Sequence, residues 1–141
     1  MEEGNKTYLF VHAIWSTAER KPLLKKPIRQ VLFAYLKSWA EGQLIKNLVI
    51  SGVEDHVHCL FQWHPTQVLS KTIRDLQSAS AKWINENGVL TEAFTWQDGF
   101  SAYSVSPSAV KQVADFILNQ EEHHKTKTLQ SELDTFEKIK I

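Results

Sequence analysis

A chain of 141 residues, 43% hydrophobic and carrying five tryptophans, is long enough to bury one core and too short for two ordinary domains. Its 16 Lys and Arg balance its 16 Asp and Glu, so the whole-chain charge lacks the basic excess that usually accompanies a nucleic-acid partner. The single cysteine, Cys59, excludes an internal disulfide framework and a four-cysteine zinc site. The acidic start Met1-Glu2-Glu3-Gly4-Asn5 and the lack of a membrane-length apolar run set the expectation of a cytoplasmic protein with no membrane partner.

Residues 8–15 are aromatic and β-branched and precede Ser16 and Thr17, the pattern of a buried first strand. A basic stretch follows, with Arg20, Lys21, Lys25, Lys26 and Arg29 opposed only by Glu19. Arg20 and Lys21 are candidates for DNA phosphate contacts there, although a solvated loop entering a helix accounts for the stretch equally well. From Ile28 onward, Val31, Leu32, Tyr35, Leu36 and Trp39 recur at helical spacing, with Pro27 at the start and Gly42 at the stop. Two β-rich runs, 45–52 and 56–63, are separated by Val53-Glu54-Asp55, as in an antiparallel hairpin.

A second helix is predicted with Thr66 as N-cap, Leu69, Ile73, Leu76, Ser80 and Trp83 on one face, and Asn87-Gly88 at its end. Its Lys71, Arg74 and Lys82 are further candidates for DNA contacts, because neutralising backbone phosphates supplies most sequence-independent affinity; a solvated helix face explains them as well. Residues 100–105 predict a fourth strand. Ser106-Pro107 predicts a helix start, Ser capping and Pro at the first position, with Val110, Val113, Ala114 and Ile117 on its buried face. From about residue 125, Leu129, Leu133 and Phe136 sketch a terminal amphipathic segment. The order is that of an α+β, ferredoxin-like (RRM-like) antiparallel sheet, βαββαβ plus a C-terminal helix, in one domain over 1–141. Such a fold by itself decides nothing about function.

His56-Val57-His58 is the sharpest chemical feature, since alternation along a strand sends both imidazoles to one sheet face with Cα atoms about 6.5–7 Å apart. Imidazoles hold transition metals well, and a divalent ion such as magnesium or manganese would want an oxygen ligand beside them. Cys59 and Phe61 point to the opposite face with Val57 and Trp63, which makes the thiol a core group. The histidine face continues through Leu60 and Gln62, so the pair is expected near the hairpin turn and open to substrate. On the third helix Gln120 lies about one turn beyond Phe116, so the two share a side, and the Gln120 amide oxygen could complete a metal site. The plainer readings stand beside these: a chance histidine pair, a core Phe116 and a surface Gln120. His12 reads either as support for the histidine strand or as a satisfied structural histidine, and His123 and His124 as helix-end residues outside the chemistry.

Taken together, Phe10-Val11-His12, Asp55-His56-Val57-His58, Ser78-Ala79-Ser80-Ala81-Lys82-Trp83, the stretch 96–106 and Asn119-Gln120-Glu121-Glu122-His123-His124 resemble the HUH single-tyrosine transposases of the insertion-sequence 200/605 group, including the REP-associated tyrosine transposases. The resemblance spans nearly the whole chain. It implies a DNA transposition and recombination enzyme that binds hairpin-containing single-stranded DNA ends and cleaves and rejoins them through a 5′-phosphotyrosine. It also implies a divalent metal (Mg or Mn) held by His56, His58 and Gln120, and a homodimer whose active sites can be shared between subunits. The catalytic tyrosine of the family falls at Phe116.

Phenylalanine matches tyrosine in shape but has no oxygen with which to attack, so this chain is expected to be dead for cleavage. Tyr103 sits on a predicted strand and is not promoted to nucleophile; Tyr8 and Tyr35 read as core residues. Two origins stay open for Phe116, a deliberate Tyr→Phe change and natural loss, with the intact histidines and glutamine favouring the first. The alternative function is a non-catalytic, domesticated relative that binds single-stranded DNA hairpins. A ferredoxin-like structural or RNA-binding protein with an incidental histidine pair is the more distant one.

Overall fold

Four strands and two long helices form where the residue patterns put them, and the differences at their ends have local causes. The computed structural model describes residues 4–123, so the predicted segment beyond about 125 lies outside the described residues. The elements are β1 (Phe10–Ser16), α1 (Lys26–Glu41), β2 (Ile45–Gly52), β3 (His56–Trp63), α2 (Leu69–Glu86), β4 (Ser101–Val105), α3 (Val110–Leu118) and a short α4 (Gln120–His123). The strands form one sheet in the order β2-β3-β1-β4, antiparallel throughout, which is the predicted ferredoxin-like topology.

The main core fills one face of this sheet. Val57, Cys59 and Phe61 of β3 and Val11, Ala13 and Trp15 of β1 pack under Leu32, Leu36 and Ala40 of α1 and Ile73, Leu76 and Ile84 of α2. Tyr35 and Trp83, stacked with ring centroids 6.0 Å apart, join the two helices. Burying each large apolar side chain here contributes about 1.5–3 kcal/mol. Cys59 belongs to this layer as expected, and burial pushes its thiol up to about 12, which keeps it an inert core group.

The hairpin follows the predicted boundaries. Val53 N–H donates to the His56 carbonyl across 3.1 Å, and a Cβ at Gly52 would collide with the His56 carbonyl oxygen and the Val57 backbone. Glycine is therefore what lets the end of β2 press against the start of β3.

Five expectations need correction. β1 begins at Phe10, because its ladders end at Phe10–Gln62 and Phe10–Val105; Tyr8, expected in the core, is 62% exposed. β4 begins at Ser101, where its pairing with Ile14 starts. Thr66 does not cap α2: its hydroxyl lies 2.6 Å from His64 Nδ1 within a turn, and the helix starts at Leu69 after an extended Val68. Ser106 makes no cap bond to α3. Instead Pro107–Ala109 forms a 3₁₀ turn, and the α-helix begins at Val110. Finally, α3 stops at Leu118, so Gln120 opens α4 rather than continuing the helix of Phe116.

Candidate active site

The second face of the sheet carries the polar groups. His56 and His58 alternate on β3 opposite Ser16 and Ile14 of β1, and residues directly opposed in an antiparallel pair point to the same side. His12, two residues before Ile14, lies diagonally across from His58. Its Nε2 sits 2.8 Å from His58 Nδ1, in a buried hydrogen bond. His56 Nδ1 lies 2.8 Å from Asp55 Oδ1. The rings of His56 and His58 have centroids 5.4 Å apart.

The carboxylate contact fixes the useful tautomer of His56. A carboxylate can only accept, so Asp55 takes the Nδ1 proton of His56 and puts the ring's lone pair on Nε2. If His58 likewise donates from Nδ1 to His12, its Nε2 carries the lone pair too. Two imidazoles on one sheet face are a nitrogen donor pair of the kind that holds divalent transition metals. Among the described residues no group of three or more His, Cys, Asp and Glu is arranged for a metal.

Helices α3 and α4 cover this face. Ile117, fully buried, packs with Leu60 and Val105 and anchors α3 to the sheet. The Phe116 ring then stands edge-on to two of the three buried histidines, with centroids 5.8 Å from His58 and 6.4 Å from His12. Gln120 is 0% exposed, and its amide reaches the Phe116 carbonyl at 3.5 Å. Thus the helix break at Asn119 does not separate the two residues that the spacing paired. The accessibility of the site does differ from expectation. His56 is 1% and His58 0% exposed rather than open to substrate, because α3 and α4 lie over the sheet face that carries them.

An ion pair ties this cover down. Arg29 of α1 is largely buried, donates to the Leu24 carbonyl at 2.6 Å and reaches Glu121 Oε1 at 2.8 Å, while Lys26 approaches Glu121 at 3.4 Å. The Arg29 hydrogen bond, with smaller help from Lys26, holds the Glu121 carboxyl below its ordinary range. The sequence reading missed Arg29, Glu121 and Asp55 as site neighbours. For Arg29 a signal existed: positions 29, 32, 36 and 40 form the buried stripe of α1.

A model of the family described as "Transposase IS200 like" matches residues 5–120. The chain belongs to the IS200-like transposase family. No curated protein matches it in sequence. Among solved structures, a candidate transposase from Deinococcus radiodurans R1 is similar with a TM-score of 0.65 at 24% identity, over 85% of this chain and 98% of that one. A REP-associated tyrosine transposase bound to a REP hairpin is similar with a TM-score of 0.60 at 16% identity, over 88% of this chain and 74% of that one. At these identities the structural likeness speaks for the fold.

In this IS200-like chain the basic candidates divide. Lys71 pairs with Asp75 at 2.7 Å, Lys82 approaches Glu86 at 3.9 Å, and Arg74 bonds back to Ser70. All three lie on α2, which packs on the core face, so the fold does not bring them to the histidines. Arg20 and Lys21 are exposed just beyond β1, and Arg20 lines a cleft that includes Ser16, the residue opposite His56. Tyr103 lies 6.3 Å from His12 between ring centroids. His123 is described only in its backbone, and His124 lies outside the described residues. Among the described residues no helix is long and apolar enough to cross a membrane.

Proposed function

We propose that this IS200-like transposase acts on hairpin-containing single-stranded DNA ends, with the scissile phosphate seated between His56, His58 and Gln120 on one side and residue 116 on the other. The carrying observation is the Phe116 ring standing against His58 within a single chain, with the buried Gln120 bonded to the Phe116 carbonyl. His56 Nε2, His58 Nε2 and the Gln120 amide oxygen would hold a divalent ion, magnesium or manganese, which when bound offsets charge on the phosphate. Asp55 and His12 orient the two imidazoles, and the apolar cover of α3 limits water around the phosphate.

With tyrosine at 116, the phenol oxygen forms a bond to phosphorus while the bond from phosphorus to the departing 3′ oxygen breaks. The 3′ end leaves as a hydroxyl and the 5′ end remains as a phosphotyrosine. Phe116 has no oxygen and cannot make that bond. The present chain is therefore proposed to bind DNA and not to cleave it. The hairpin carried by the REP-associated structural neighbour supports the choice of DNA form. Arg20 and Lys21 are the proposed phosphate contacts near the site, and Lys71, Arg74 and Lys82 serve DNA farther from it. A homodimer is also proposed. The meeting of these groups in one chain supports a site complete within each subunit rather than one that depends on exchange of α3.

Phe116 itself favours a second reading, a relative that has kept hairpin binding and lost cleavage. Covalent trapping separates the two. This chain and Phe116→Tyr are incubated with manganese and single-stranded DNA from the ends of its own element and run on a denaturing gel. An adduct in the variant alone is the expected result. Hairpin binding without an adduct in either protein would leave the non-catalytic binder.

A further inference from the structure

Beyond Ile14, β1 and β4 part. Gln97 N–H still donates to the Ser16 carbonyl at 2.9 Å and Thr17 bridges Trp96, but residues 98–100 make no ladder with β1, and a cleft of about 190 Å³ lies there. Its walls include Ile14, Ser16, Arg20, Gln97, Asp98 and Phe100. Ile14 and Ser16 are the cross-strand partners of His58 and His56, so the cleft adjoins the histidine pair one strand spacing, about 5 Å, away.

The turn that supplies Arg20 is strained. Glu19 and Arg20 both have positive φ, 57° and 53°, a conformation costly for two successive residues other than glycine. The surroundings hold it there. Arg20 N–H donates to the Thr17 carbonyl at 3.0 Å, Ala18 N–H to the Thr95 carbonyl at 3.2 Å and Glu19 N–H to Gln97 Oε1 at 3.2 Å; the Thr17 hydroxyl donates to the Lys21 carbonyl at 2.8 Å. Among the described residues the Arg20 guanidinium has no ion-pair partner, although Asp98 lines the same cleft. A backbone maintained at a cost, delivering a cation to the edge of a cleft, is the kind of strain that marks binding sites.

We propose that this cleft is a subsite for the unpaired nucleotide flanking the scissile phosphate. Arg20 takes its backbone phosphate, Phe100 gives its base an apolar wall, and Gln97 and Asp98 meet its edge. Asp98 can only accept when ionised, so it repels a phosphate placed beside it and favours a base with an exocyclic amino group, such as cytosine, over thymine. The proposal rests on the reading of the chain as a single-stranded DNA binder.

The test is fluorescence anisotropy with three probes: a DNA hairpin with oligo-dC extensions at both ends, the same hairpin with oligo-dT extensions, and the blunt hairpin. Arg20→Asn removes the charge while asparagine tolerates the left-handed backbone, so an unchanged melting temperature is expected of it. Its affinity for the dC-extended hairpin should fall about tenfold, with the slope of log affinity against log salt shallower by about 0.7, and its affinity for the blunt hairpin should not change. The exposed Asp98→Ala should abolish a dC-over-dT preference seen in the unmodified chain. Lys46→Ala, on the edge strand β2, should behave as the unmodified chain on all probes. Equal weakening by Arg20→Asn on extended and blunt hairpins, or none on either, would overturn the subsite and leave hairpin binding standing. Failure of the unmodified chain to bind any probe would overturn both the subsite and the proposed function.

Discussion

The two faces of β3 are made from alternate residues of a single octapeptide, yet they differ in chemistry. Val57, Cys59 and Phe61 disappear into an apolar layer under two long helices, where burial holds the thiol protonated. His56 and His58 are buried just as deeply, but each is hydrogen-bonded through Nδ1, and the His58 ring meets the ring of Phe116. Burial alone therefore does not distinguish a core from a site. What differs is whether the buried groups can accept a charge. An imidazole with its tautomer fixed can do so, and a shielded thiol cannot.

The largest expected effect tests the apolar face. Phe61→Ala should cost about 3–5 kcal/mol of unfolding free energy in a urea titration, because the ring is fully buried within the main core. A loss under about 1 kcal/mol would mean that this face is not the stability layer. On the other face, His12→Leu should weaken manganese binding about 10–100-fold by isothermal calorimetry, the usual consequence of losing a partner that orients a metal-binding imidazole. Unchanged affinity would reduce His12 to a structural residue.

Phe116→Tyr sharpens the contrast from a third direction. It adds one oxygen to a half-buried ring, so unfolding free energy should move by less than about 1 kcal/mol while DNA adducts appear where there were none. The smallest effect concerns the tie that holds the cover. Glu121→Gln should lose about 0.5 kcal/mol or less at neutral pH, since the Glu121 side chain is 50% exposed and solvent screens the pair. The folded carboxyl titrates below its ordinary 4.5, so its contribution is full above that value and is lost as pH falls through the lowered one. The stabilities of Glu121→Gln and the unmodified chain should accordingly converge in acid and differ at neutrality; a gap that persists in strong acid would assign the difference to packing.

The hairpin was the most legible part of the sequence. Period-two alternation and a three-residue connection gave both strand boundaries and assigned Cys59 to the core before any contact was known. Helix starts were least legible. Thr66 and Ser106 have the chemistry of caps, but a neighbouring histidine and a 3₁₀ turn took their hydroxyls instead, competition that a propensity rule does not see. Of the candidate site, the spacing did not foresee the helix break between residues 116 and 120, nor that Ile117 and the Arg29–Glu121 pair anchor the two helices that carry them.

The sequence by itself determined the strand and helix order, the shared face of His56 and His58, and a phenylalanine without a hydroxyl at position 116, since these depend on local periodicity and on residue identity. Only the tertiary structure decided that His12 meets His58, that Arg29 reaches Glu121 across 92 positions of chain, and that the cover leaves the histidines buried. Strand order and helix docking set those distances. They arise from the joint burial of two sheet faces, which no local window of sequence contains.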